Sequence, residues 1–523
     1  MVKFASRTAL RLSAAGLLLG LLSFGHIRAQ AAPEQVSKAP SITVTARIVV
    51  LDVVVTDKKG NLVQRTFDKG DFTIYEGGKP QTIRSFEPPS AHVMPNAGQA
   101  IVNSAADLTK IGDAPVTILV LDELNSRFED MSYSRQMLVK YLLSQPAALK
   151  EPTLMLVATN TSFQQLHDYT QNRDALVQIV KKRVSQFPWK MDQSGKQGAG
   201  AVERMAQVLS ALQQIAQSSQ GTPGRKNLIW VGNGFPSADL VGLPNEEGDK
   251  IETAIRRVTS KMLASRITMY SINPTPDASS TVALDDPTEI DASADENGGD
   301  PFGAGSVSFM DFATSTGGIA FTGRNDLNNV IAEGIAKGQD YYTLSYTPTG
   351  DSEAAAKFRN IRVVMKDPNL RATTRDGYYP DAAGDLNAVT DKTMDAKQVQ
   401  ANLKLDLSNA LLSTISYNGL SVKAVKSANG LWVLNVAPNG VGWTSGTTDA
   451  SQHSEATVAA AWYDAKGKLL GHVAREEVFK RVIQDGDAVY TLPVETTAGA
   501  VRLRFVVRDA INGHMGTVDL TQF

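Results

Sequence analysis

Residues 116–126 read Val116-Thr117-Ile118-Leu119-Val120-Leu121-Asp122-Glu123-Leu124-Asn125-Ser126, an uncharged run that stops at two carboxylates. A short run of this kind, bounded by polar residues, suits a strand covered on both faces. Three later runs share the character: Thr153–Val157, Leu228–Val231 and Ile267–Ile272. Between them apolar residues recur at helical spacing, first at Leu176, Ile179, Val180 and Val184, then at Val202, Met205, Leu209, Leu212 and Ile215, and again at Ile251, Ile255, Val258 and Met262. Strands that alternate with helices are joined by crossovers, which set the strands parallel and the helices on both faces. The expected fold class is therefore α/β, a doubly wound, mostly parallel sheet, closed by a helix carrying Leu327, Val330, Ile331 and Ile335. Inside this unit residues 275–306 hold Asp285, Asp286, Glu289, Asp291, Asp295, Glu296 and Asp300 with little to pack. They read as an acidic surface loop, because the spacing and closing glutamate of a calcium loop are missing.

Outside the unit the period changes to that of strands. Ile48–Val55 stops at Asp57-Lys58-Lys59-Gly60, and Phe72–Tyr75 turns through Glu76-Gly77-Gly78-Lys79 into Gln81-Thr82-Ile83. Beyond Gly338 come Tyr341–Tyr346 and Ile361–Met365. Neither segment is long enough to bury a core alone, and domains of such size need staples. Residues 41–90 and 341–380 are therefore expected to pair into one β-sandwich-like domain, with residues 114–339 inserted between them. Residues 381–400 read as a polar linker. Residues 401–523 alternate at Leu431–Val436, Ala456–Tyr463, Val489–Val494 and Val501–Val507, which suggests a C-terminal antiparallel, Ig-like sandwich.

Residues 1–31 have the order of a signal peptide: Lys3, Arg7 and Arg11, an apolar stretch from Leu12 to Phe24, then Ala29-Gln30-Ala31. The mature chain is expected to begin near Ala32 and to act in the periplasm, at the cell surface or outside the cell, with no membrane span left after cleavage. The 523 residues balance 52 Lys and Arg against 54 Asp and Glu, which argues against a nucleic-acid partner. There is no cysteine, so thiol catalysis, disulfides and cysteine-ligated zinc are excluded. The six histidines are scattered, with no pair at metal-ligand spacing, and the phosphate-loop, nucleophile-elbow and His-Glu-x-x-His patterns are absent.

In an open parallel sheet ligands meet the carboxyl ends of the strands. Here those ends read Asp122-Glu123-Leu124-Asn125-Ser126, Thr159-Asn160, Gly232-Asn233-Gly234 and Asn273, a convergence of oxygen-bearing side chains of the kind hard cations prefer. The Val116–Ser126 block, the segment Gly224-Arg225-Lys226-Asn227-Leu228-Ile229-Trp230-Val231-Gly232-Asn233-Gly234 and Thr316-Gly317-Gly318-Ile319-Ala320-Phe321 resemble a von Willebrand factor type A domain over about residues 114–339. With the β-rich segment before it, Tyr341–Pro348 and the sandwich after it, the layout is similar to that of exported bacterial proteins related to this family, known mainly from acidobacterial genomes. The resemblance implies a metal-ion-dependent adhesion site, in which Mg²⁺ held by Asp-x-Ser-x-Ser, a threonine and a later aspartate recruits a partner's carboxylate. Asp122 and Ser126 match the first motif, Leu124 replaces its first serine, the loop Pro188–Ala201 offers no threonine, and Asn233 stands for the later aspartate. The metal set is thus Asp122, Ser126 and Asn233, degenerate and weak for a divalent ion because charge count sets affinity. Asp122 would serve equally as a cap for the first helix. The function expected is an exported, non-enzymatic protein-binding or adhesion-type module with an unidentified protein partner. The alternatives are an envelope hydrolase using strand-end carboxylates such as Asp122 and Glu123, or a purely structural cell-surface component.

Overall fold

The computed structural model describes residues 48–63, 65–95, 100–159, 162–183, 197–235, 238–239, 245–275, 306–349, 358–379, 396–445, 452–481 and 486–523. The signal segment, Asn160, Val184, most of the acidic segment and most of the 381–400 linker lie outside the described residues.

At the centre is a six-stranded sheet whose order from edge to edge is Ala320–Phe321, Ile267–Ile272, Lys226–Val231, Val116–Asp122, Ala148–Ala158 and Phe163–Asn172. All neighbours run parallel except the last pair, which is antiparallel. The chain enters at Val116–Asp122, moves outward on one side, and returns to lay Lys226–Val231 against the other side of the same strand. Strand order therefore reverses between Asp122 and Asn233.

Strand side chains alternate between faces. Ile118, Val120, Leu228 and Trp230 pack with Met205, Val208 and Leu212 of helix Gln197–Ser218 and with Ile255, Val258 and Met262 of helix Asn245–Ala264. Leu119, Leu121, Ile229 and Val231 face Met131, Leu138 and Leu142 of helix Phe128–Ser144, Leu176 of Arg173–Lys182, and Val330 and Ile331 of Leu327–Gln339. Burying each such side chain contributes about 1.5–3 kcal/mol, which fixes the sheet between two helical layers.

Two of these elements were not legible in the sequence. Helix Phe128–Ser144 hides Ser134 in its buried face, which interrupts the apolar repeat. Strand Phe163–Asn172 is an edge strand with mostly half-buried residues, so its alternation is weak.

The two β-segments flanking this unit share their sheets. Val49–Val53 pairs antiparallel with Tyr342–Tyr346, and Phe72–Glu76 pairs antiparallel with Ile361–Met365. Each of the two four-stranded sheets draws strands from both segments, and Leu51, Ile74, Leu344 and Val363 share one core. The join to the central unit is ionic. Arg266, with φ +53 the one non-glycine residue in the left-handed region among the described residues, turns the chain into strand Ile267–Ile272. Its guanidinium donates to Asp52 Oδ1 at 2.5 Å and to Thr343 Oγ1 at 3.0 Å. Burial disfavours the charge on Asp52, yet Arg266 beside it holds the carboxyl below its ordinary range.

In the C-terminal part, strands Val422–Lys426, Trp432–Val436 and Ala488–Leu492 form one sheet. Thr444–Ser445, Gln452–Tyr463, Leu469–Arg481, Arg502–Asp509 and Met515–Leu520 build the other, with Trp432, Leu434, Val458, Phe505 and Val507 between the two. Where a linker running directly into this sandwich was expected, residues Ala396–Leu412 form a helix. Leu403, Leu407, Ala410 and Leu411 recur at helical spacing and pack on Ala459, Ala461 and Val506 of the sheet's outer face. The same helix carries Asp406, fully buried among Arg257, Lys261 and Arg508.

Candidate functional site

The point where strand order reverses is the place an open α/β sheet offers to ligands. Asp122 ends the first strand of the central sheet and Gly232-Asn233-Gly234 follow the strand beside it. Asp122 is completely buried. Its Oδ1 accepts from the backbone N–H of Leu124 at 3.0 Å and of Asn125 at 3.1 Å. Its Oδ2 accepts from the backbone N–H of Gly234 at 2.8 Å and from Trp230 Nε1 at 3.2 Å. A carboxylate offers about four lone-pair sites, and these four donors fill them. The aspartate thus ties the turn after one strand to the turn after its neighbour. It is not the cap of the following helix, whose N-cap residue is Arg127. A divalent ion at Asp122 would have to displace at least one of these donors.

The neighbouring backbone is shaped to this carboxylate. Gly232 has φ +146, and a Cβ there would lie 2.3 Å from Asp122 Cβ and 2.8 Å from Ser126 Oγ. Only glycine fits such a conformation and such an approach. Ser126 Oγ accepts from the backbone N–H of Asn233 at 3.1 Å, a second tie between the same two turns. Thr275 Oγ1 lies 3.2 Å from Asn233 Oδ1 and 3.0 Å from Asp130 Oδ2, and donates to one of them. Asp130 receives a bidentate pair from Arg127 Nε and Nη2, at 2.8 and 3.1 Å. The structure therefore brings Asp122, Ser126 and Asn233 together, and adds Thr275 and Asp130.

Sequence reasoning passed over those two. Asp130 looked like an ordinary acidic residue in a first helical turn, where the macrodipole favours one. Thr275 sits two residues past Asn273, whose Oδ1 accepts from the Thr275 N–H at 2.9 Å, so this strand end closes its own turn. Thr159 does likewise with Ser162. Leu124, where the resemblance wants a ligating serine, is buried in the core with Val120 and Trp230. Glu123 points away from Asp122 into a bidentate pair with Arg183 at 3.1 and 2.8 Å.

Burial pushes the Asp122 carboxyl up to about 6, with its four hydrogen bonds pulling the other way. A second buried carboxylate, Glu151, lies toward the opposite end of the sheet, where Thr117 Oγ1 donates to it at 2.8 Å. Burial pushes it up to about 7. Both folded values exceed the unfolded ones, so both groups favour folding below about pH 4 and lose that contribution as pH rises through 6 to 7. The stability of the wild type relative to Glu151→Gln should therefore increase by roughly 3 kcal/mol between pH 8 and pH 4. Urea unfolding at the two pH values measures this, and a flat difference would show that Glu151 titrates normally.

Among the described residues no group of three or more His, Asp or Glu is placed to hold a metal ion. Nor is any helix there long and apolar enough to cross a membrane.

No protein-family model and no curated protein matches this chain. Among solved structures, an endonuclease/exonuclease/phosphatase from Beutenbergia cavernae aligns at 16% identity over 35% of this chain and 38% of that one, with a TM-score of 0.11. The pilus adhesin SpaC from Lactobacillus rhamnosus GG aligns at 7% identity over 85% and 58%, with a TM-score of 0.23. Three N-terminal domains of the type V pili tip protein Mfa5 from Porphyromonas gingivalis align at 11% identity over 91% and 76%, with a TM-score of 0.18. The chain thus spans less than two thirds of the first two neighbours, and alignments this loose carry no argument about fold or function.

Proposed function

We propose that this chain is an exported, non-enzymatic protein-binding module of the von Willebrand factor type A kind, which presents the carboxyl edge of its central sheet to a protein partner. The observation that carries the reading is the pinned crest at the strand reversal. Asp122 and Ser126 lock the two turns together, so the residues that follow stand on a rigid base. Two of those are Arg127, whose side chain is 57% exposed, and Phe128, 42% exposed. An arginine and an aromatic residue on a preorganised support are the side chains that dominate protein interfaces. The non-enzymatic reading is supported by the strand-end carboxylates, since Asp122 is saturated by N–H donors and Glu123 is held by Arg183. Among the described residues Asp122 accepts from no hydroxyl group that it could activate as a nucleophile.

In this reading the crest works without a bound cation. Mg²⁺ at millimolar concentration should raise the melting temperature by less than about 1 °C, because stabilisation follows the ratio of ligand concentration to dissociation constant. A clear Mg²⁺-dependent rise that disappears in Asn233→Ala would show a working metal site. The binding reading itself is tested by affinity capture from envelope extract, with and without EDTA. A partner should be retained under both conditions and lost with Arg127→Ala/Phe128→Ala, with circular dichroism showing that the variant stays folded although Asp130 loses its ion pair. Retention by the double variant would move the interface elsewhere on the molecule.

A further inference from the structure

Among the described residues, the C-terminal sandwich has one long strand paired on a single edge. Strand Leu469–Arg481 pairs antiparallel with Gln452–Tyr463 along its whole length, and among the described residues no strand pairs with its other edge. Its 13 residues make it about twice the usual strand length. Alternate residues of such an edge point both N–H and C=O outward, which makes a template for another strand. Long edges are normally blunted by proline, a bulge or lysines. This one has no proline, its only register shift lies at the Leu469 end, its single lysine, Lys480, is next to last, and its central charges, Arg475, Glu476 and Glu477, are of both signs.

We propose that this edge is a self-association surface, at which two copies of the chain pair their 469–481 strands antiparallel about a two-fold axis through Glu476. A two-fold axis requires that if one residue meets a second, the second meets the first. With Glu476 on the axis, Arg475 of each copy faces Glu477 of the other, giving two opposite-charge pairs. Val473 faces Phe479, and both already pack partly against the sandwich core, so the pairing extends that core across the axis. Ala474 faces Val478, covering a valine that is 63% exposed in the single chain. Moving the register by one pairing step in either direction sets Arg475 against Arg475 or Glu477 against Glu477, and like charges directly opposite are destabilising. Moving it by a single residue turns core-facing side chains to the solvent face. The chosen register also sets Glu476 against its own copy, so its advantage over the two neighbouring registers lies in the two Arg475–Glu477 pairs that only it forms.

The absence of cysteine gives a direct test. Directly opposed residues of antiparallel strands have Cα atoms about 4.5–5.5 Å apart, within disulfide reach. Glu476→Cys should therefore form a disulfide-linked dimer under mild oxidation. Ala474→Cys, four residues from its own copy and so roughly 13 Å away, should not. By sedimentation of the full mature chain, Arg475→Glu should weaken self-association at least tenfold, and Arg475→Glu/Glu477→Arg should restore it, with unchanged circular dichroism in each case. A wild type that stays monomeric at its highest soluble concentration would overturn the proposal. So would equal cross-linking of the two cysteine variants, or a charge swap that fails to restore association.

Discussion

Replacing Asp122 by alanine should cost about 3–5 kcal/mol of folding stability, the range for leaving buried partners uncompensated. Four donors lose their acceptor at once: the backbone N–H groups of Leu124, Asn125 and Gly234, and the indole of Trp230. Gly232, pressed against the aspartate Cβ, leaves no room for water to enter without movement of the turn. Asp122→Asn should also destabilise, because its amide nitrogen cannot accept from whichever pair of N–H groups it faces. The useful contrast is Asp57. It accepts from Lys59 N–H, Asn61 N–H and Asn61 Nδ2, yet all three bonds are exposed. Water replaces such partners, so Asp57→Ala should cost no more than about 1 kcal/mol. Chemical denaturation of the three variants measures the series. If Asp122→Ala lost as little as Asp57→Ala, the aspartate would not be a structural tie.

The second large effect is expected at Asp406. Arg257 Nη2 donates to Oδ1 at 2.8 Å, Gln213 Nε2 donates to the same oxygen at 2.7 Å, and Arg508 reaches Oδ2 at 3.3 Å. Burial alone would raise this carboxyl, but Lys261, Arg257 and Arg508 hold it below its ordinary range. Lys261 is itself pushed down to about 7 by burial, with Asp406 opposing the shift. Alanine at this position would leave the Arg257 and Arg508 guanidinium groups in a dry interface without their shared carboxylate, at a cost of about 3–5 kcal/mol. Asp406 sits on helix Ala396–Leu412, and its partners come from two helices of the central unit, Gln197–Ser218 and Asn245–Ala264, and from strand Arg502–Asp509, so the loss should fall on one boundary. Calorimetry of Asp406→Ala should resolve two melting transitions, and hydrogen exchange should quicken in 396–412 before the sandwich core. A single transition at the wild-type temperature would mean that apolar packing of that helix carries the interface without the ion cluster.

Much of this architecture is written locally. Periodicity is a property of neighbouring residues, and it reveals the strands at 116–122, 228–231 and 267–272 and the helices on Met205, Leu212, Val258 and Ile331. The too-short β-segments on either side pointed to shared sheets, and Val49–Val53 does run beside Tyr342–Tyr346. The strand ends that converge were legible too, because parallel strands put their carboxyl termini on one edge whatever their order. Elements without a clean apolar repeat escaped: helix Phe128–Ser144 with its buried Ser134, the half-exposed strand Phe163–Asn172, and a helix in place of the end of the expected linker.

What each strand-end residue does was decided only by the tertiary structure. Asp122 reads as a ligand or a cap within its own eleven-residue stretch, yet two of its four partners, Trp230 and Gly234, lie 108 and 112 residues away. Thr275 and Asp130 meet across 145 residues, and Asp406 finds Gln213 across 193. A sequence by itself determines which faces must be buried, because hydrophobic burial depends on composition and spacing. It does not determine which donor reaches which acceptor, because hydrogen bonds and ion pairs depend on distance and direction to within a fraction of an ångström, and those are set only when the layers have packed.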